Sequence, residues 1–303
     1  MRQLVLVAAS SAVLLLLAGC SGAAEQQAGA AANVVTTLTV PGVAADSTAP
    51  APAAGEALLA QAKAANPVRY QFALDTGAAI TPTSDGASFV VSWFPRGVQA
   101  GQVPVIATIH GHGSWAFDEF FLWYPFAVER GYGIVALQWW DGKGEETADY
   151  LTPTEVQREL SLTFEHEGVA PGTVIFHGFS RGAANSYAVV ARDATEGPGY
   201  YLLAVANSGK PSQNYPPNVE IQAGLLGQQP LEGTNWVTFC GERDANPARD
   251  GCPGMREAAA WIERFGGAVL KAIEDPTADH GGFHKSAANV NAALDVFAGL
   301  LAR

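Results

Sequence analysis

A serine flanked by two glycines is the group in this sequence best placed to do nucleophilic chemistry. The segment Gly-Phe-Ser-Arg-Gly occupies residues 178–182 and has Ser180 at its centre. An apolar run typical of a buried strand ends just before it, and a helical pattern begins directly after it. A strand, a tight turn and a helix form the setting that lifts a serine hydroxyl out of a sheet. The alternative is that Ser180 only caps the helix.

A second motif, His-Gly-His-Gly, occupies residues 110–113 and directly follows an apolar run that predicts a buried strand. With the turn around Ser180, it makes residues 68–303 resemble the α/β-hydrolase superfamily. The resemblance implies an oxyanion hole formed by the backbone amide of His112 (or of Gly113) and that of Arg181. Such preorganised amides stabilise a tetrahedral intermediate by about 3 kcal/mol each. The imidazoles of this loop can equally be structural.

The same resemblance implies a base and an acid, in the chain order serine, carboxylate, histidine. Only His280 and His284 follow the serine. His280 is favoured because the Gly-Gly-Phe after it is similar to the His-Gly-Phe version of the family's loop. For the acid we favour Asp244, which falls where the family has Gly-x-x-Asp, and Glu242 is the alternative.

The elements that must position these groups alternate between strands and helices. Such alternation predicts an α/β fold with a mostly parallel central sheet and helices on both faces, and sites at the carboxyl ends of the strands. Residues 68–75 and 87–94 are expected to form an antiparallel strand pair at its start. The later strands are predicted at 103–109, 132–138, 173–177, 201–206, 235–240 and 268–274, and the helices at 115–131, 152–167, 180–193, 255–265 and 286–301.

The amino terminus resembles a bacterial lipoprotein signal. An apolar core over residues 4–18 runs into Leu-Ala-Gly-Cys, and the resemblance implies cleavage before Cys20, a lipid on that cysteine, and export. We expect a signal peptide over residues 1–19, an Ala/Pro-rich tether over 20–66 and a catalytic domain over 67–303. The helical pattern at residues 55–65 is expected to dock on that domain.

The two remaining thiols, Cys240 and Cys252, lie on either side of the predicted acid loop. In an oxidising compartment they are expected to pair, which would fix Asp244 in place. Two free buried thiols are the alternative. A zinc site is disfavoured because no neighbouring histidine or further cysteine completes one.

The composition and net charge of the chain exclude some classes of protein and disfavour others. The chain has 303 residues, 48% hydrophobic and 15% charged, with a net charge of -12, which excludes disorder and disfavours nucleic acid and anionic membranes as electrostatic partners. Trp139 and Trp140 follow a strand and either form a substrate wall or cap the core.

The sequence therefore predicts an exported, lipid-anchored serine hydrolase, most simply an esterase acting on a small-molecule or polymer ester. It needs no cofactor, and its membrane contact is through the lipid alone. Within the same chemistry, a polyester depolymerase or a feruloyl-type esterase is the alternative. Two alternatives come from other classes. One is a zinc hydrolase using His110 and His112, although the sequence lacks the following Asp and His that a binuclear site needs. The other is a non-catalytic binding lipoprotein.

Overall fold

One eight-stranded sheet organises the part of the chain that the structure, a computed structural model, describes, residues 54–303. The strand order is β1-β2-β4-β3-β5-β6-β7-β8; β1 and β2 are antiparallel to their neighbours, and β3 to β8 pair in parallel. The strands are β1 (Ala79–Pro82), β2 (Phe89–Trp93), β3 (Val105–Ile109), β4 (Gly133–Leu137), β5 (Val174–Phe179), β6 (Tyr201–Asn207), β7 (Asn235–Gly241) and β8 (Ala268–Asp275).

Helices cover both faces of this sheet, as predicted. Along β3, Val105 and Ala107 face one core while Ile106 faces the other, because successive side chains of a strand point to opposite faces. Helices α4, α5 and α7 close the first core, and α1, α3 and α9 close the second. The helices are α1 (Ala54–Ala65), α2 (Pro67–Asp75), α3 (Ala116–Arg130), α4 (Pro153–Glu167), α5 (Arg181–Thr195), α6 (Pro216–Gln222), α7 (Cys252–Arg264), α8 (Gly282–Lys285) and α9 (Ala287–Leu301).

The prediction of a strand at residues 68–75 is wrong, because this segment is helix α2. The side chain of Asn66 accepts a hydrogen bond from the backbone N–H of Arg69, and Pro67 takes the first helical position. A side-chain cap followed by proline favours a helix start over a strand. The antiparallel partner of β2 is instead β1, which follows the helix.

Helix α1 packs on the sheet and buries Leu58 and Ala62 in the second core. Residues 54–66, assigned to the tether from sequence, are therefore part of the packed body. The predicted signal peptide, Cys20 and the rest of the tether lie outside the described residues. Between residues 54 and 303, every helix is too short or too polar to span a bilayer.

Candidate functional site

The turn between β5 and α5 holds Ser180 in a strained backbone conformation. Its φ of 54° and ψ of -113° are rare for a residue with a side chain. The flanking glycines make the turn possible: a Cβ at Gly178 would lie 2.5 Å from the carbonyl oxygen of Gly182, and one at Gly182 would lie 2.6 Å from that of Ile109. The spacing of the motif is thus a steric requirement of this turn.

His280 connects the serine to a carboxylate through two hydrogen bonds. Its Nε2 lies 2.8 Å from Oγ of Ser180, and its Nδ1 lies 2.7 Å from Oδ2 of Asp244. An ionised carboxylate only accepts, so Nδ1 carries the hydrogen and Nε2 accepts from the serine hydroxyl. Asp244 is buried, and its other oxygen accepts from the backbone N–H of Asn246 at 2.8 Å, which fixes the carboxylate.

The loop after β3 brings backbone amides to the same place. The amide of Gly113 donates to the hydroxyl of Tyr150 at 2.9 Å, and that hydroxyl is also hydrogen-bonded to Nδ1 of His112 at 3.0 Å. Two backbone amides are candidates for this side of an oxyanion hole. That of Gly113 already donates to Tyr150, so the amide of His112 is the candidate that can still donate to a ligand. On the other side, Arg181 is the first residue of α5, and an N–H at that position has no partner within its helix.

The side chain of Arg181 contacts Tyr150 and the chain segment just before it. Its guanidinium lies 4.4 Å from the centre of the Tyr150 ring and donates to the carbonyl oxygens of Glu145 and Glu146 at 2.8 and 3.2 Å. Sequence reasoning missed Tyr150, since its contact with His112 crosses 38 positions of the chain. No local motif signals such a pair.

A cavity of about 820 Å³ opens over Ser180 and His280. Trp139 lines it and is fixed by the hydrogen bond from its indole N–H to the carbonyl oxygen of His110, at 2.9 Å. Trp140 is not part of the lining, because its ring packs 5.1 Å from that of Trp115. The role of either tryptophan in binding substrate stays a prediction.

Known proteins resemble this chain in structure rather than in sequence. No family model and no curated protein matches it. An esterase from the fungus Rhizomucor miehei matches with a TM-score of 0.55 and 14% identity, over 82% of this chain and 96% of that one. A hyperthermophilic esterase from the archaeon Pyrobaculum calidifontis matches with a TM-score of 0.53 and 15% identity, over 78% and 90%. The chain has the α/β-hydrolase fold. A bacterial heroin esterase adds a TM-score of 0.51 and 17% identity, over 82% and 93%.

Within this α/β-hydrolase fold, the alternative base and acid lie away from the serine. The ring of His284 packs 4.8 Å from that of Trp123 and 5.3 Å from that of His177, and its Nε2 is buried without a partner among the described residues. Glu242 is exposed, and its backbone N–H donates to the carbonyl oxygen of Asp275. The structure thus joins His280 and Asp244 to Ser180, and neither alternative.

A buried polar cluster behind the nucleophile turn was not predicted. Nδ1 of His177 lies 3.3 Å from Oε2 of Glu119 and 3.0 Å from the hydroxyl of Thr108, and its Nε2 lies 3.1 Å from the side-chain amide of Asn207. Burial raises the pKa of the Glu119 carboxyl, but the hydrogen bond and charge of His177 outweigh it, so the pKa lies below its usual value. The four residues of this cluster come from three strands and a helix, which no local pattern connects.

Two sets of three ligand-type side chains, each with ligand atoms within 4.8 Å of one another, occur among residues 54–303: Glu119, His177 and His284, and Asp244, Asp250 and His280. Both are largely engaged in the hydrogen bonds described above, and Asp250 is also paired with Arg249 at 2.6 Å. Neither set includes His110 or His112, so the zinc alternative finds no ligand set in the described part of the α/β-hydrolase fold.

A disulfide joins Cys240 and Cys252, as predicted, and Asp244 lies in the loop it closes. Replacing both cysteines with alanine should lower the unfolding free energy by about 3 kcal/mol, and hence the melting temperature by roughly 6–12 °C. Calorimetry of the double variant tests this. Free thiols in mass spectra of the wild-type protein, purified without a reducing agent, would contradict the pairing.

Two buried histidines should make the stability fall in acid. Burial lowers the pKa of His110 to about 4 and, with the charge of His177, that of His284 to about 3, although Glu119 opposes the latter shift. A histidine in the unfolded chain has a pKa near 6.5. Below that pH the two imidazoles bind protons in the unfolded chain but stay neutral in the folded protein. The unfolding free energy should then fall by up to about 1.4 kcal/mol per pH unit for each histidine.

Urea unfolding between pH 7 and pH 4.5 measures this loss. A His284→Leu variant isolates one contribution and should lose less stability over the same range than the wild type. Equal losses in both proteins would show that His284 does not titrate with unfolding.

Proposed function

We propose that the protein is a carboxylic ester hydrolase that forms an acyl-enzyme on Ser180. The observation that carries the proposal is the position of His280, hydrogen-bonded at 2.8 Å to Ser180 and at 2.7 Å to Asp244 beneath an open cavity. The structural neighbours support the choice of ester. They are esterases, and one, from Thermogutta terrifontis, is described with butyrate or propionate bound.

In the proposed reaction, Oγ of Ser180 attacks the ester carbonyl carbon and its proton moves to Nε2 of His280. The carbonyl oxygen becomes an oxyanion held by the amides of His112 and Arg181, and Asp244 stabilises the imidazolium. When the intermediate collapses, His280 gives the proton to the leaving alcohol. Water then attacks the acyl-enzyme, with His280 as its base, and releases the carboxylic acid. No step needs a cofactor.

Hydrolysis of 4-nitrophenyl acetate and butyrate by the purified protein tests the proposal. We expect saturable release of nitrophenol and an acyl group on the Ser180 peptide in quenched samples. Methyl ferulate and a polyester film, assayed beside them, distinguish the feruloyl-type and depolymerase alternatives. A folded protein that hydrolyses none of these would instead favour the non-catalytic binding lipoprotein.

We further propose that the enzyme is exported and lipid-anchored through Cys20. The disulfide supports export, since such bonds persist in oxidising compartments. Mass spectrometry of the mature amino-terminal peptide tests the anchor. A lipid on Cys20 is expected, and a free amino terminus elsewhere would contradict it.

A further inference from the structure

Polar or charged residues make up fourteen of the nineteen residues of the described chain that line the cavity over Ser180. The other five are the aromatic residues Trp139, Tyr150 and Tyr215 and the small aliphatic residues Ala184 and Pro216; there is no Val, Leu, Ile, Met or Phe. Sites for apolar ligands are lined mainly by hydrophobic side chains, with few polar groups. This lining therefore does not suit a long acyl chain or a fatty alcohol.

The position of His280 indicates where the alcohol half of an ester must lie. In the proposed reaction Nε2 hands its proton to the leaving oxygen, so the alcohol sits beside this imidazole. Asp250, a buried residue of the cavity lining, lies close to this imidazole: one of its carboxylate oxygens is within 4.8 Å of a ring nitrogen of His280 and of a carboxylate oxygen of Asp244. The backbone amide of Lys210 donates to the carbonyl oxygen of Arg249 at 3.2 Å and so joins a second loop to this wall.

The charges on this wall are paired with one another. Arg249 contacts Asp250 at 2.6 Å, and Nζ of Lys210 contacts Glu257 at 2.5 Å. A ligand with a strong charge of one sign would find both signs here. A neutral ligand that both donates and accepts hydrogen bonds fits better, and hydroxyl groups have this property.

Four side-chain amides line the cavity: those of Asn185, Gln213, Asn214 and Asn246. Asn185 is buried, and its Nδ2 has no hydrogen-bond partner among the described residues, whereas the other three amides are exposed. Each exposed amide offers two donors and an acceptor to a ligand. The volume of about 820 Å³ lies within the usual range for small-molecule sites.

We propose that the alcohol half of the substrate is a carbohydrate, so that the enzyme removes acyl groups from sugar hydroxyls. In this reaction water and the sugar ester give the free hydroxyl and a carboxylic acid. The inference rests on the proposed function, because the acyl-enzyme route places the alcohol beside His280. The polar wall formed by Lys210, Asn246, Arg249 and Asp250 then binds the other hydroxyls of the sugar.

Unactivated acetate esters of sugars and of a simple alcohol test the preference. The kcat/KM for 6-O-acetylglucose and for acetylated xylo-oligosaccharides should exceed that for butyl acetate by at least about tenfold, a difference of about 1.4 kcal/mol. Equal or lower values for the sugar esters would overturn the inference. Hydrolysis of 4-nitrophenyl acetate in the same preparation separates the two proposals, since its absence would count against the esterase itself.

Variants of the polar wall test the site. Asn246→Ala and Lys210→Met should each raise the KM for acetylated xylo-oligosaccharides several-fold more than the KM for butyl acetate. Lys271→Met, on the exposed edge strand β8, is the matched control and should change neither. Equal effects on both substrates would contradict binding of the sugar at this wall. Asn246 is exposed, so its variant tests the site even where loss of the ion pair of Lys210 lowers stability.

Discussion

Under the proposed mechanism, Ser180→Ala should lower kcat for 4-nitrophenyl butyrate by about a millionfold, the order of loss measured when the nucleophile of subtilisin is removed. The acyl-enzyme can no longer form, and only the oxyanion-binding amides and the cavity remain to act on the substrate. The melting temperature should not fall, because among residues 54–303 the serine hydroxyl bonds only to His280, on the surface of the cavity.

A matched control comes from the same helix. Ser186 in α5 donates its hydroxyl to the carbonyl oxygen of Ala183 at 2.7 Å. Ser186→Ala should keep kcat within about twofold while costing up to about 1.5 kcal/mol of stability. More than a tenth of the wild-type activity in Ser180→Ala would end the case for the serine mechanism.

His280→Ala should slow turnover nearly as much as Ser180→Ala, because the serine hydroxyl loses its base. The double variant should be hardly slower than either single one, as expected for groups that act as a unit. His280→Gln tests whether a hydrogen-bonding side chain that cannot serve as the base restores activity, and it should not. Steady-state kinetics on 4-nitrophenyl butyrate measures all of these.

His284→Ala provides the contrast four residues further along the chain. Its ring packs against Trp123, so its removal should lower the unfolding free energy, while kcat should fall by no more than about tenfold. The opposite pattern, with activity lost in His284→Ala and kept in His280→Ala, would show that the base is His284.

The sequence allowed a good prediction of the sheet because buried parallel strands leave apolar runs that can be recognised locally. The first segment was different. The apolar residues of 68–75 were interpreted as a strand, although Asn66 and Pro67 are helix-start signals that were available in the sequence. Here capping chemistry decided the structure.

For the site, the chain order of the motifs led to Ser180, Asp244 and His280, and these side chains are hydrogen-bonded in the structure. The choice between His280 and His284 depends on contacts that local spacing does not contain. The ring of His284 packs against Trp123, a residue of the second core, and against His177. The catalytic roles of Ser180, Asp244 and His280 stay predictions.

Labelling with a fluorophosphonate probe, followed by peptide mass spectrometry, tests the central claim most directly, because the probe reacts with an activated serine. We expect one adduct, on the peptide that contains Ser180, no adduct in Ser180→Ala, and much slower labelling of His280→Ala. No adduct on the folded wild-type protein, or an adduct on another serine that persists in Ser180→Ala, would contradict the proposal that Ser180 is the activated nucleophile.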